Sequence, residues 1–272
     1  MTDRIAPVRV NHMNVVMEDF DASVEHFKTL YDAEFVVDLP SPAFHACLVA
    51  MGGGIIELFV PEAYLLNARY GPFHLGVEYQ ADTDVVRKVV ADQNIRIIRD
   101  IGVAIHTHPD DTLGVSFEFY SLGFHEKEWP ALGRPILPQR HWTQEHPLRM
   151  TGLKGYSIAV HDIDAGLAFL RGFFATETVY EEARPALNAR AIGLQVADTV
   201  IELIAPLGEG ELTEFLKRYG PGIRSTLFGI ADRDVAVGYF KERGVDLLPG
   251  STPDRLLVPA EANRGLLFEF TT

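Results

Sequence analysis

Residues 55–61, Ile55-Ile56-Glu57-Leu58-Phe59-Val60-Pro61, return at 200–206 as Val200-Ile201-Glu202-Leu203-Ile204-Ala205-Pro206. In each copy one carboxylate interrupts an apolar run that a proline closes, the pattern of a buried strand carrying a single polar side chain. Self-similarity at this separation marks a duplicated array of small modules.

Outward from the first copy, residues 8–16 alternate as a strand, and Asp19 is placed to cap an amphipathic helix beginning at Phe20. Strands follow at 33–38, 43–50 and 55–60, punctuated by Pro40, Pro42 and Gly52-Gly53-Gly54. The unit therefore reads β-α-β-β-β. The same order runs from Phe73 through a helix at 82–92 to strands near 95–100, 103–108 and 113–120. A third unit opens at Leu153, where His161-Asp162-Ile163-Asp164 repeats Glu18-Asp19-Phe20-Asp21 without a gap. The fourth follows Arg224, with Phe268-Glu269-Phe270 echoing Phe117-Glu118-Phe119. The expected organisation is a first pair of modules at 1–122 (1–61 and 70–122), a connector at 123–150, and a second pair at 151–272. Trp129 and Trp142 make the connector a packed strap rather than a loose linker.

The chain has 272 residues with 47% apolar content, enough to bury a full core. No apolar run approaches the ~18 residues of a membrane span, and the N-terminus lacks a signal-peptide pattern, so a cytoplasmic protein is expected. The net charge of -14 disfavours a nucleic-acid partner. A single cysteine, Cys47, leaves any metal to nitrogen and oxygen ligands.

The first pair of modules carries a histidine ahead of each strand glutamate: His12 before Glu57, and His74 before Glu118. Alternate strand residues share a face, which adds Asn14, Gly76, Glu78, Ser116 and Tyr120 as pocket lining. A lone strand histidine is usually structural. Two imidazoles and two carboxylates at matching positions of duplicated modules instead suit one divalent ion, Mn, Fe, Co, Ni or Zn. His106 and His108, ahead of Pro109, read as a hairpin end; His26, His125, His141 and His146 read as structural, and His45 as structural or at most pocket lining. The second pair keeps Glu202 and Glu269 but places Gly155 and Arg224 opposite the histidines. Arg224 is therefore expected to supply the counter-charge for one of those glutamates, since a buried unpaired carboxylate is costly.

These residues resemble the vicinal oxygen chelate superfamily, which includes glyoxalase I, methylmalonyl-CoA epimerase, extradiol dioxygenases, and fosfomycin- and bleomycin-resistance proteins. The resemblance covers the chain outside the connector. It implies an α+β fold of four βαβββ modules paired into two U-shaped, barrel-like, antiparallel-rich sheets with helices outside. It also implies His12, Glu57, His74 and Glu118 as metal ligands, with Glu57 and Glu118 as catalytic bases. The chemistry so implied is chelation of vicinal oxygens of a small hydroxy-carbonyl substrate and proton transfer through an enediolate or enolate, by an isomerase or lyase. The alternatives are an Fe(II) extradiol dioxygenase using His12, His74 and Glu118, and a non-catalytic small-molecule or antibiotic binding protein. The architecture is also compatible with a homodimer.

Overall fold

The computed structural model describes residues 3–62 and 71–272. Residue 70, the expected opening of the second module, lies outside the described residues. The first module comprises β1 (Arg9–Val16), α1 (Phe20–Tyr31), β2 (Glu34–Pro40), β3 (Phe44–Met51) and β4 (Gly54–Pro61). The second comprises β5 (Phe73–Gln80), α2 (Thr83–Asp92), β6 (Ile97–Asp100), β7 (Ala104–Thr107) and β8 (Ser116–Tyr120). A short α3 (Gln139–Gln144) lies in the connector. The third module is β9 (Met150–Ala159), α4 (Ile163–Phe173), β10 (Glu177–Arg184), β11 (Ala189–Val196) and β12 (Thr199–Pro206), followed by α5 (Glu211–Tyr219). The fourth is β13 (Gly222–Ile230), α6 (Arg233–Glu242), β14 (Leu248–Pro249), β15 (Leu256–Val258) and β16 (Phe268–Thr271). Strands β1 to β8 belong to one mixed sheet and β9 to β16 to another.

One device starts the helix of every module. Asp19, Asp82, Asp162 and Asp232 each accept a backbone N–H from the first turn, satisfying a donor that the helix leaves open. In each module the first strand runs parallel to the last, and the remaining pairs are antiparallel.

By packing, the chain divides into two compact units. One holds residues 12–74, 124–154 and 225–272, joining the first and fourth modules to most of the connector. The other holds 1–11, 75–123 and 155–224, joining the second and third. This grouping runs across the sequence division at 1–122 and 151–272, because it follows buried apolar faces rather than chain order.

In the first of these units, Phe27, Leu30 and Tyr31 of α1 share a core with Phe240 of α6 and with Phe228, Phe268 and Phe270. Each such side chain contributes about 1.5–3 kcal/mol by leaving water. The connector joins this core through Trp142, Leu148 and Met150, and its Trp129 and Ile136 pack on Val36, Leu48, Ala50 and Ile55. It is the packed strap expected from its two tryptophans. In the other unit, Phe117 and Phe119 of β8 meet Phe173 and Phe174. Beside them the Tyr79 and Tyr156 hydroxyls bond at 2.8 Å, so that neither buried phenol lacks a partner.

Candidate metal centre

Strand registers put the four repeated glutamates at one structural position. Glu57 lies between Asn14 of β1 and Leu48 of β3, and Leu48 pairs onward with Val37 of β2. Glu118 lies between Glu78 of β5 and His106 of β7, and His106 pairs onward with Arg99 of β6. The corresponding rows are Ser157, Glu202, Gly193 and Tyr180 in the third module, and Leu227, Glu269, Leu257 and Leu248 in the fourth. Residues paired across adjacent strands share a face, so each row is a line of side chains on one surface. The modules differ in what stands beside the carboxylate.

In the first module His12 is buried, 4% exposed, and shares its face with Asn14. Its Nδ1 lies 2.5 Å from Asn14 Oδ1. With that carbonyl accepting from Nδ1–H, Nε2 carries the lone pair, the tautomer that a histidine metal ligand uses. The Phe124 ring stacks on His12 at 5.5 Å between centroids and packs edge-on against Trp129. The strap thus forms an apolar wall beside His12. Glu57 is half-buried on the same face.

On the second module's face, Ser116 Oγ lies 3.4 Å from Glu118 Oε1, and His106 Nδ1 lies 3.3 Å from the same oxygen. His106 is the residue that sequence reasoning missed. Alternation and Pro109 pointed to a hairpin end, and only the β7–β8 register brings His106 beside Glu118. Burial pushes the His106 pKa down, but the Glu118 charge and hydrogen bond, helped by Glu78, raise it overall. Glu78 also accepts a hydrogen bond from Asn11 Nδ2 at 3.1 Å. Gly76 pairs with Ser116 so closely that a Cβ there would collide with the Ser116 carbonyl, so this position of the row is held at backbone thickness. His74, on β5, is 4% exposed, with the Phe268 ring 6.0 Å away. Tyr120, two residues past Glu118, is half-buried.

The glutamates of the second pair of modules are paired with arginine, though not with the one expected. Glu202 Oε2 accepts from Arg184 Nη2 at 2.5 Å and from the Tyr180 hydroxyl at 2.7 Å. Glu269 accepts from the Ser251 N–H and hydroxyl, each at 2.7 Å, and from Arg255 Nη1 at 3.0 Å. Arg224, the residue expected in this role, instead donates to Glu211 Oε1 at 2.6 Å at the first residue of α5. Arg224 stands opposite a histidine in the repeat, but its long side chain turns to α5, while Arg184, at the end of β10, reaches Glu202 past the intervening β11, and Arg255, just before β15, reaches Glu269.

Four other histidines have structural partners. His45 faces away from the Glu57 row, stacks on Phe20 and pairs with Asp38. His26 bonds Asn263, His108 caps the turn after β7, and His141 pairs with Glu145. Cys47 is buried, and burial pushes its thiol up to about 12, so it offers no thiolate. The four expected ligands divide as His12, Glu57 and His74 in one unit and Glu118 in the other. Among the described residues, no group of three or more His, Cys, Asp or Glu side chains stands close enough to hold a metal ion. The donor set itself, imidazole and carboxylate without thiolate, suits a borderline or hard divalent ion.

No protein-family model and no curated protein matches the chain. Among solved structures it is similar to a triple mutant of 4-hydroxymandelate synthase from Streptomyces coelicolor, with a TM-score of 0.77 at 12% identity, covering 97% of this chain and 92% of that one. It also matches methylmalonyl-CoA epimerase from Mycobacterium tuberculosis, with a TM-score of 0.43 at 27% identity over 45% of this chain and 87% of that one. Among the described residues, no helix is long and apolar enough to cross a membrane. Four βαβββ modules, an aspartate cap on each helix and one glutamate at the same register position in each give this chain the vicinal oxygen chelate fold.

Proposed function

We propose that the chain is a divalent-metal-dependent enzyme of the glyoxalase and epimerase type, with His12, Glu57, His74 and Glu118 as ligands and a small hydroxy-carbonyl compound as substrate. The observation that carries this reading is the contrast between repeated glutamates. Glu202 and Glu269 are ion-paired to Arg184 and Arg255, whereas Glu57 and Glu118 share their faces with His12 and His106. A guanidinium beside the carboxylate supplies the charge that a metal would otherwise supply. Imidazole and carboxylate on one face are instead the donor types that a divalent ion takes.

When bound, a divalent ion supplies Lewis acidity to two adjacent substrate oxygens and eases loss of the neighbouring proton. The chain's own residues do the rest. Glu57, half-buried, would be both a ligand of the ion and the base that takes the proton. Glu118 serves the opposite face of the substrate, with His106 positioned to pass its proton onward and Ser116 to hold its Oε1. Asn14 keeps the His12 ring oriented, and Phe124 excludes water from beside it.

One observation favours a second reading. Glu57 is the least buried of the four residues, and without it His12, His74 and Glu118 form the two-histidine, one-carboxylate set of an iron-dependent ring-cleaving dioxygenase. Metal content and oxygen uptake separate the two. The proton-transfer reading expects about one equivalent of Mn, Co, Ni or Zn, lost in His74→Ala, and solvent deuterium entering 2-hydroxy-carbonyl substrates without oxygen uptake. Iron with oxygen uptake on catechols would replace it with the dioxygenase. Wild-type protein that takes up no divalent ion on reconstitution would leave neither.

A further inference from the structure

We propose that Arg99 is the substrate's anion anchor, so that the compound turned over at this site carries a carboxylate remote from its chelating oxygens. This rests on the proposed function for the position of the reacting end, and on independent geometry for the tail.

The row through the second module runs Glu78, Glu118, His106, Arg99 across four paired strands. Arg99 therefore shares the face of the candidate base, two strand spacings or about 10 Å from Glu118 across the sheet. The other arginines of this module are committed elsewhere. Arg87 pairs with Asp84 and Asp100, and Arg96 with Asp110 and Asp111. Arg99 is exposed, and among the described residues no carboxylate pairs with it.

No other row places a guanidinium here. The edge-strand residue is Val37 in the first module, Tyr180 in the third and Leu248 in the fourth. The register shift between Ile97 and Arg99 leaves Ile98, 46% exposed, next to Arg99 without a partner on β7. A planar guanidinium next to an apolar side chain fits a carboxylate on a short hydrocarbon tail. Against a net charge of -14, an anionic substrate needs such a local cation to be held.

The test is a binding titration of 2-oxoadipate and 2-oxohexanoate, which share a head with vicinal oxygens and differ in a terminal carboxylate. It uses wild-type protein, Arg99→Ala and Arg99→Lys, each with and without Mn²⁺. The wild type should bind 2-oxoadipate about tenfold tighter than 2-oxohexanoate, with or without the ion. Arg99→Ala should erase that preference while leaving 2-oxohexanoate unchanged, and Arg99→Lys should retain part of it. A wild type indifferent to the tail, or a preference that survives in Arg99→Ala, overturns the proposal. Affinities that ignore Mn²⁺ would count against the metal reading alone, since the tail preference is measured in its absence too.

Discussion

Arg184 and Glu202 form an ion pair in which both side chains are almost wholly removed from water, the Arg184 residue being 1% and Glu202 4% exposed. Tyr180 completes the carboxylate's shell and Glu182 takes a second guanidinium hydrogen bond. Such a pair is neutral as a unit and destabilising when halved.

Arg184→Met is therefore expected to cost about 3–5 kcal/mol in urea unfolding, because Glu202 would remain buried without its cation. Arg184→Met combined with Glu202→Met should recover most of that loss. A single variant as stable as the wild type would show that the pair does not neutralise Glu202.

Tyr180 reaches Glu202 by lying over Gly193, where an added Cβ would strike its ring. Gly193→Ala should destabilise by about 1–3 kcal/mol. The same substitution in a Tyr180→Ala background should cost much less, and thermal melts of the four proteins form the double-mutant cycle that measures the coupling. Equal costs in both backgrounds would place the requirement for glycine in the backbone instead.

His146 ties the connector to the first module, with Nδ1 accepting the Leu148 N–H at 3.2 Å and Nε2 standing 3.3 Å from Asp32. Burial lowers its pKa, outweighing the pull of Asp32, while His141 and Arg243 lower it further. A histidine whose folded pKa lies below its unfolded value of about 6.5 is protonated first in the unfolded chain. Stability should thus fall as pH drops below about 6.5 and level off once the folded ring has also taken its proton. His146→Gln should flatten that segment of a stability profile measured between pH 7.5 and 5; an unchanged slope would assign it to other groups.

Much of this molecule is readable from single residues. The Glu57 and Glu202 strands reveal the duplication, and the aspartates at 19, 82, 162 and 232 mark where each helix begins, because capping is a local interaction between a side chain and the next few amides. What escapes is set by register. His106 stands beside Glu118 only because β7 pairs with β8 in one particular alignment, and a slip of one residue would send it to the other face. Arg184, on β10, reaches Glu202, on β12, past the one intervening strand with a flexible side chain, which no sequence spacing encodes. The expectation for Arg224 failed for the same reason: alignment locates a Cα, and a guanidinium acts several ångströms away.

On the proposed function, the first pair of modules holds one divalent ion and the second pair, with Glu202 and Glu269 ion-paired to Arg184 and Arg255, holds none. Elemental analysis of purified wild-type protein, Glu118→Gln and Glu269→Gln decides between one site and two. About one equivalent in the wild type and in Glu269→Gln, with little or none in Glu118→Gln, is the expected result. Two equivalents in the wild type, or a full equivalent surviving in Glu118→Gln and lost in Glu269→Gln, would contradict it.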